Sequence, residues 1–188
     1  KIVTTGEGGM VVTNDNDLAE QIRSLGNHGM RTIGSKLDFI AAGFNYRMNE
    51  LEAVLGIIQM REIQGIISER QRLAGLYMDI LKSVPGIAFQ KILPNCTTVW
   101  QAFVVQFRDK NRDRILQLLR RANIEGNIGT YALHLLHFYS SKYGYKPCDY
   151  PNAAELYSRS LALPFYGNMA LENIEQVVDV LRRTIDEN

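Results

Sequence analysis

The chain has 188 residues, of which 46% are hydrophobic and 22% are charged, and its 21 basic and 20 acidic residues leave a net charge of +1. This composition is typical of a globular protein with a buried core and excludes a disordered tail. The nearly neutral charge gives no electrostatic basis for binding nucleic acid or an anionic membrane surface.

Cysteine content and hydropathy bear on the cellular compartment. Two cysteines are too few to hold together a fold of this size, so free thiols in a reducing compartment are expected, with a chance disulfide as the minor alternative. No stretch approaches the roughly 18–20 continuous apolar residues of a membrane-spanning helix. The sequence shows no signal peptide, although a preceding region could carry one. We therefore expect a cytoplasmic protein.

The N-terminal part of the sequence alternates between regular and irregular segments. The chain begins with Lys1 and runs at once into a glycine-rich turn, which indicates the middle of a longer protein. A short apolar run predicts a strand over residues 10–13, and apolar spacing between capping residues and a glycine predicts a helix over 16–25. Residues 26–44 contain four glycines and no sustained period, which predicts an irregular connection.

A long helical pattern begins at Asn49 and ends before a Pro-Gly pair. Three glycines lie inside it, and each costs about 1 kcal/mol relative to alanine. We therefore expect a break or kink near Gly65. The boundary between two structural units is placed there, which gives residues 1–65 and 66–188.

The second unit mixes strands and helices, which indicates a small α+β domain. Strands or extended segments are predicted over residues 87–90, 98–107 and 124–131, and helices over 110–122, 151–160 and 170–186.

Six blocks of sequence carry a resemblance to a known family. In chain order they are KIVTTGEGG (1–9), RSLGNHG (23–29), GFNYRMNELEA (43–53), WQAFVV (100–105), LHL (133–135) and SLALP (160–164). Together they resemble the nucleotide-sugar aminotransferases of the DegT/DnrJ/StrS type, and the first and third blocks are the most specific.

The resemblance implies the α/β fold of a fold-type-I transferase that depends on pyridoxal 5′-phosphate (PLP). Residues 1–65 would be the end of the large PLP-binding domain with the start of a linking helix, and residues 66–188 the small C-terminal α+β domain. In the family, the residues that hold the cofactor ring and most of its phosphate precede the lysine. We therefore expect this chain to be an incomplete part of the enzyme and to be inactive alone.

The resemblance also implies roles for three residues. Lys1 takes the position of the lysine that holds PLP as a Schiff base, where a neutral amine would act as nucleophile and proton shuttle; an exposed lysine at the end of a fragment is the alternative. Asn45 matches the asparagine that binds the cofactor phosphate of the neighbouring subunit, although it could instead stabilise its own turn. Arg47 could add a charge-assisted contact to that phosphate or form a structural salt bridge.

Histidines are weaker candidates. His134 and His137 lie three residues apart, but two ligands do not make a metal site and no acidic residue or cysteine has suitable local spacing, so no metal is predicted. His134 matches a histidine of the family and is a candidate for the substrate pocket, as is His28, which could equally be structural. The chain departs from the family pattern directly after this point, with Leu136-His137 where Gln-Pro is common.

The implied reaction moves an amino group from an amino acid, glutamate or glutamine, to a keto sugar linked to a nucleotide, in a homodimer with shared active sites. Neither nucleic acid nor membrane is an expected partner. A PLP-dependent sugar dehydratase of the same family is an alternative, but that branch has histidine in place of the lysine. A non-catalytic regulatory relative is the other alternative.

Overall fold

The computed structural model describes residues 1–108 and 111–186. Contacts between Cα atoms divide the chain into two compact units: unit 1 covers Lys1–Ile63, and unit 2 covers the described residues from Gln64 onward. This division falls two residues before the boundary predicted from the sequence. No helix in the described parts of the chain is both long enough and apolar enough to span a lipid bilayer.

Unit 1 contains one helix, one hairpin and the first half of a long helix. Helix α1 is Asn16–Gly26, strands β1 and β2 are Met30–Ile33 and Lys36–Phe39, and helix α2 is Glu50–Leu81, which continues into unit 2. Strands β1 and β2 are antiparallel, with Ile33 paired to Lys36 across a two-residue turn. Gly34 in that turn has φ of +63°, a conformation that glycine adopts without strain.

Unit 2 is built on an antiparallel four-stranded sheet in the order β3-β4-β6-β5. Its strands are β3 Ile87–Phe89, β4 Phe103–Phe107, β5 Asn127–Ile128 and β6 Ser160–Leu163, and its further helices are α3 Arg112–Arg121, α4 His137–Tyr143, α5 Pro151–Arg159 and α6 Leu171–Asp186. Two short 3₁₀ turns, Leu133–Leu135 and Pro147–Asp149, complete it.

The hydrophobic core of unit 2 is formed by side chains from one face of each of its longer helices and strands. The fully buried side chains include Tyr77 of α2, Phe103 of β4 and Leu181 of α6. The ring of Tyr77 stacks on that of Phe103 at 4.8 Å between centroids, and the Tyr77 hydroxyl donates a hydrogen bond to the Pro164 carbonyl at 2.8 Å. The buried Tyr77 hydroxyl therefore has a hydrogen-bond partner.

Most predicted helices and two of the predicted strands have counterparts within a few residues. Helices α1, α5 and α6 and strand β3 occur where the sequence predicts them, and strand β5 forms part of the extended segment predicted over 124–131. Helix α3 also matches its prediction, of which residue 110 lies outside the described residues.

Four predictions differ from the structure. No strand forms over residues 10–13, because that apolar run pairs with no other strand of the described chain and stays exposed. The segment 26–44 contains the β1-β2 hairpin. Helix α2 has no break at Gly65, since the cost of one glycine does not interrupt a helix of 32 residues. Strand β4 begins only after Trp100, whose φ of +49° interrupts an extended backbone.

Candidate active site

The segment that follows Lys1 is held against α2 by one side chain. Gln59 accepts a hydrogen bond from the Thr4 backbone N–H at 2.9 Å and donates one to the Thr4 carbonyl. Thr4 and Thr5 then shape the turn, since the Thr4 hydroxyl accepts from the Gly6 N–H at 3.1 Å and the Thr5 hydroxyl donates to the Glu7 carbonyl. Lys1 itself is exposed.

Residues 43–46 are fixed on the C-terminal end of α1 by backbone hydrogen bonds. The N–H of Phe44 donates to the Leu25 carbonyl at 2.7 Å, and the N–H of Tyr46 donates to the Gly26 carbonyl at 2.8 Å. These bonds satisfy carbonyls that the end of a helix leaves without partners. The loop containing Asn45 is therefore positioned by α1.

Two glycines permit this close approach of backbone to backbone. A Cβ on Gly43 would lie 2.1 Å from the nitrogen of Gly29, and a Cβ on Gly29 would lie 1.8 Å from the carbonyl oxygen of Ala41. Gly29 also has φ of +75°. Both positions therefore require glycine, which gives a physical reason for the glycines of the second and third sequence blocks.

Asn45 and Arg47 contact each other. The Nε of Arg47 donates to Oδ1 of Asn45 at 2.9 Å. Because arginine can only donate, this bond assigns the oxygen of the Asn45 amide and leaves its NH₂ group as a donor. The arginine forms no ion pair within the described residues, so the structure does not support the salt-bridge interpretation of Arg47. The two side chains together present an amide and a guanidinium as hydrogen-bond donors.

Both residues line a cleft of about 970 Å³ that lies entirely within unit 1. Its wall comprises the glycine-rich turn, the last turns of α1, the loop 44–48 and the start of α2. Lys1 and His28 are not among the lining residues. The structure therefore brings Asn45 and Arg47 together and leaves Lys1 outside their cleft.

The charged groups of this wall differ in how far they are already engaged. The Glu52 carboxylate accepts from the Asn49 N–H at 3.1 Å, while the Asn49 side chain accepts from the Glu52 N–H at 2.9 Å, which is a capping box at the start of α2. Arg23 pairs with Glu20 on the exposed side of α1. Arg47, unlike Arg23, has no carboxylate partner among the described residues and lies next to the Asn45 NH₂ group. A guanidinium and an amide NH₂ are hydrogen-bond donors that fit an anion such as a phosphate group.

The predicted histidines occupy different surroundings. His28 has φ of +59°, and its backbone N–H donates to the Phe44 carbonyl at 2.8 Å. His134 belongs to unit 2, is buried, and packs edge-on against Tyr150 at 5.0 Å between ring centroids. Its Nε2 has no hydrogen-bond partner within the described residues. Those same residues contain no group of three or more potential ligands placed to hold a metal ion.

Three residues of this region were not identified from the sequence. Gln59 contacts a residue 55 positions away, and no local pattern indicates such a pair. Glu52 could have been found, since an Asn followed three residues later by Glu is the pattern of a capping box. Asn27 lines the cleft, and its buried Oδ1 has no partner in the part of the chain that the structure describes.

The architecture is that of the PLP-dependent sugar aminotransferases. Residues 1–182 match the DegT/DnrJ/EryC1/StrS aminotransferase family. The chain belongs to this family, which confirms the resemblance seen in its sequence blocks, and the members of the family use PLP.

Three known proteins illustrate the similarity. Spore coat polysaccharide biosynthesis protein SpsC of Bacillus subtilis is 29% identical over 196 residues, which cover 97% of this chain and 50% of that protein. The structure of PseC from Helicobacter pylori, an aminotransferase involved in the biosynthesis of pseudoaminic acid, superposes with a TM-score of 0.90 at 24% identity over 100% of this chain and 51% of that chain. The aminotransferase TlmJ from Streptoalloteichus hindustanus superposes with a TM-score of 0.87 at 26% identity, over 100% of this chain and 50% of that chain. This chain thus spans about half the length of the relatives it matches.

Proposed function

We propose that the complete protein transfers an amino group from glutamate or glutamine to a keto sugar linked to a nucleotide. The observation that supports this most strongly is the family match over residues 1–182, which begins with the lysine of the first sequence block. The donor pair of Asn45 and Arg47 in the cleft supports the binding of a phosphate group. Members of the family act on sugars, and the particular sugar and amino donor belong to this proposal.

Lys1 is proposed as the catalytic residue. PLP supplies an aldehyde that an amine can attack and a ring that withdraws electrons. Lys1 would hold PLP covalently through its amine, with the aldehyde oxygen lost as water, and the same amine, when free, would carry a proton during amino transfer. His134 and His28 are kept as candidates for substrate contact, and a role for His134 would be consistent with its unpartnered Nε2.

The direct test is chemical. The complete protein is incubated with PLP, reduced with borohydride, digested, and mapped by mass spectrometry. We expect the cofactor on Lys1, and we expect none on the Lys1→Arg variant. Lys36→Arg, which changes another exposed lysine of unit 1, is the matched control. Cofactor mapped to a different lysine would refute the assignment, and absence of PLP binding would favour the non-catalytic relative.

We also propose that residues 1–65 are the end of the large PLP-binding domain and residues 66–188 the small domain, in a homodimer with shared sites. The position of Lys1 outside the cleft of Asn45 and Arg47 supports a site in which these residues serve different subunits. Mixing Lys1→Ala and Asn45→Asp subunits should restore about a quarter of the activity, because half of the dimers are mixed and each has one intact site of two. No restoration in verified mixed dimers would argue against sharing.

The chain of 188 residues alone is proposed to be inactive. Its relatives are about twice as long, and the cofactor ring and most of the phosphate are expected to be held by residues that this sequence does not include. Measurable amino transfer by the purified chain, with added PLP, glutamate and a keto sugar nucleotide, would refute this.

A further inference from the structure

One glutamine joins the N-terminal segment to α2. The Gln59 amide uses its oxygen and its NH₂ group on the N–H and the carbonyl of a single residue, Thr4. These two hydrogen bonds resemble those by which a residue of a β-strand pairs with a residue of the neighbouring strand. It fixes both the position and the orientation of the backbone at Thr4, which a single hydrogen bond would not do.

The same face of α2 is shaped to receive this segment. Gly56 precedes Gln59 by three residues, so the two positions are neighbours on the helix surface. A Cβ on Gly56 would lie 3.1 Å from the Cγ2 of Thr5. The missing side chain of Gly56 therefore leaves room for Thr5 while Gln59 binds Thr4.

Gln59 carries this attachment without other polar support. In the described chain, the remaining hydrogen bonds of residues 1–7 are internal to the glycine-rich turn. Ile2 and Val3, which separate Lys1 from Thr4, are half-buried. The Thr4 backbone, three residues after Lys1, is therefore attached to helix α2 through the Gln59 amide.

We propose that Gln59 is a positioning residue for Lys1: by holding the Thr4 backbone on α2, it sets where the Lys1 amine is presented to the cofactor. The inference depends on the proposed role of Lys1. Helix α2 starts at Glu50, three residues after Arg47 of the donor pair. Gln59 lies nine residues further along, which is about 14 Å along the helix axis at about 1.5 Å per residue. One rigid helix thereby relates the loop of the donor pair to the segment of Lys1.

The first experiment measures the attachment itself. Gln59→Leu keeps the approximate size of the side chain and removes both hydrogen bonds. We expect the Thr4 amide of this variant to exchange its hydrogen about tenfold faster, measured by mass spectrometry of the N-terminal peptide of the 188-residue chain. Gln64→Leu, an exposed glutamine on the same helix, should leave that exchange unchanged. Equal exchange in Gln59→Leu and the parent chain would overturn the inference.

The second experiment measures the consequence for Lys1 in the complete protein. The rate of PLP attachment to Lys1, trapped by borohydride, is expected to fall about tenfold in Gln59→Leu, whereas it stays at the parent value in Gln64→Leu. Gln59→Glu retains the acceptor for the Thr4 N–H and loses the donor to the carbonyl, so an intermediate rate is expected. Val178→Ala, a destabilising change in the core of unit 2, should lower the melting temperature without lowering the rate.

The outcomes separate this inference from the function on which it depends. If PLP attaches to Lys1 at the same rate in the parent protein and in Gln59→Leu, the inference is wrong and the proposed function stands. If Val178→Ala lowers the rate as much as Gln59→Leu does, the effect reflects stability and the inference is also wrong. If the parent protein carries no cofactor on Lys1, the proposed function is wrong and the inference fails with it.

Discussion

Each of the two units is stabilised internally by a different kind of interaction. Every buried hydrophobic side chain in the described residues belongs to unit 2, from Leu73 to Ile185. Unit 1 instead exposes large apolar side chains, among them Met10 at 88%, Val12 at 85% and Leu51 at 81%. Its order is maintained by backbone hydrogen bonds, close glycine contacts, the capping box and the Gln59 amide.

This difference separates stability from the candidate chemistry. Unit 2 contains the buried hydrophobic side chains of the described residues, so the hydrophobic contribution to folding comes mainly from this unit. The proposed catalytic and anion-binding residues lie in unit 1, where polar contacts fix geometry but contribute little net stability, since each typical hydrogen bond contributes only about 1 kcal/mol. Substitutions in the two units should therefore affect different measurements.

The largest expected effect is in the core of unit 2. Phe103→Ala removes a fully buried ring that stacks on Tyr77, and it should lower the free energy of unfolding by about 4 kcal/mol. Leu51→Ala, at a mostly exposed position of unit 1, should change it by less than about 0.5 kcal/mol. Urea denaturation followed by circular dichroism compares the two. Similar losses would contradict the contrast between the units.

A second effect should be local to unit 1. Gly29→Ala places a Cβ against the Ala41 carbonyl oxygen at a residue with positive φ, so we expect a loss of about 2–3 kcal/mol in the protection of residues 24–46. Gly34→Ala has the same sign of φ but open space, and its cost should be about 1 kcal/mol. Hydrogen exchange resolved by segment measures both. A change spread equally over unit 2 would contradict the local interpretation.

A third effect depends on pH and should be confined to unit 2. Burial raises the pKa of Tyr77 above its ordinary value of about 10, with a smaller contribution from the charge of Tyr166. The folded protein therefore keeps this phenol protonated at a pH where the unfolded chain ionises it. Stability from this group is complete below about pH 10 and should fall by about 1.4 kcal/mol per pH unit above it.

The measurement for Tyr77 is urea unfolding between pH 9 and 11, with tyrosinate absorbance recorded in parallel. Tyr77→Phe loses the bond to the Pro164 carbonyl, which should lower stability by about 1 kcal/mol below about pH 10. Above that pH the deficit should shrink, because the variant lacks this tyrosine's share of the alkaline slope. A slope that is the same in both proteins would assign the pH dependence to other groups.

Local sequence was sufficient for the elements whose signals are local. Helices α1 and α6 follow from caps and an apolar stripe, and the match of residue types to a known family identified the fold. Strand β6 was missed because Ser160–Leu163 is a short run whose extended form depends on its pairing with β4 and β5. The apolar run at residues 10–13 was predicted as a strand for the opposite reason, since its composition favours pairing and no partner strand lies in the described chain.

The candidate site was predictable by type and not by geometry. The sequence proposed Asn45 and Arg47 as candidates, but their mutual hydrogen bond, which directs the NH₂ group of the amide, depends on the conformation of the loop. Gln59 carried no signal, because its contact with Thr4 exists only when α2 and the N-terminal segment are folded together. Long-range pairs of this kind are what local patterns do not encode.

The smallest expected effect is an increase in the free energy of unfolding, and it concerns helix α2, which begins in unit 1 and ends in unit 2. A break near Gly65 was expected, yet α2 is continuous and a Cβ on Gly65 would meet no atom within 4 Å. Gly65→Ala should therefore raise the free energy of unfolding by about 1 kcal/mol, because alanine loses less backbone entropy in a helix. Thermal melting detects this, with Gly56→Ala as the contrast, since there the new methyl group would press on Thr5. Destabilisation by Gly65→Ala would show that the helix bends at this position in solution, as its sequence had indicated.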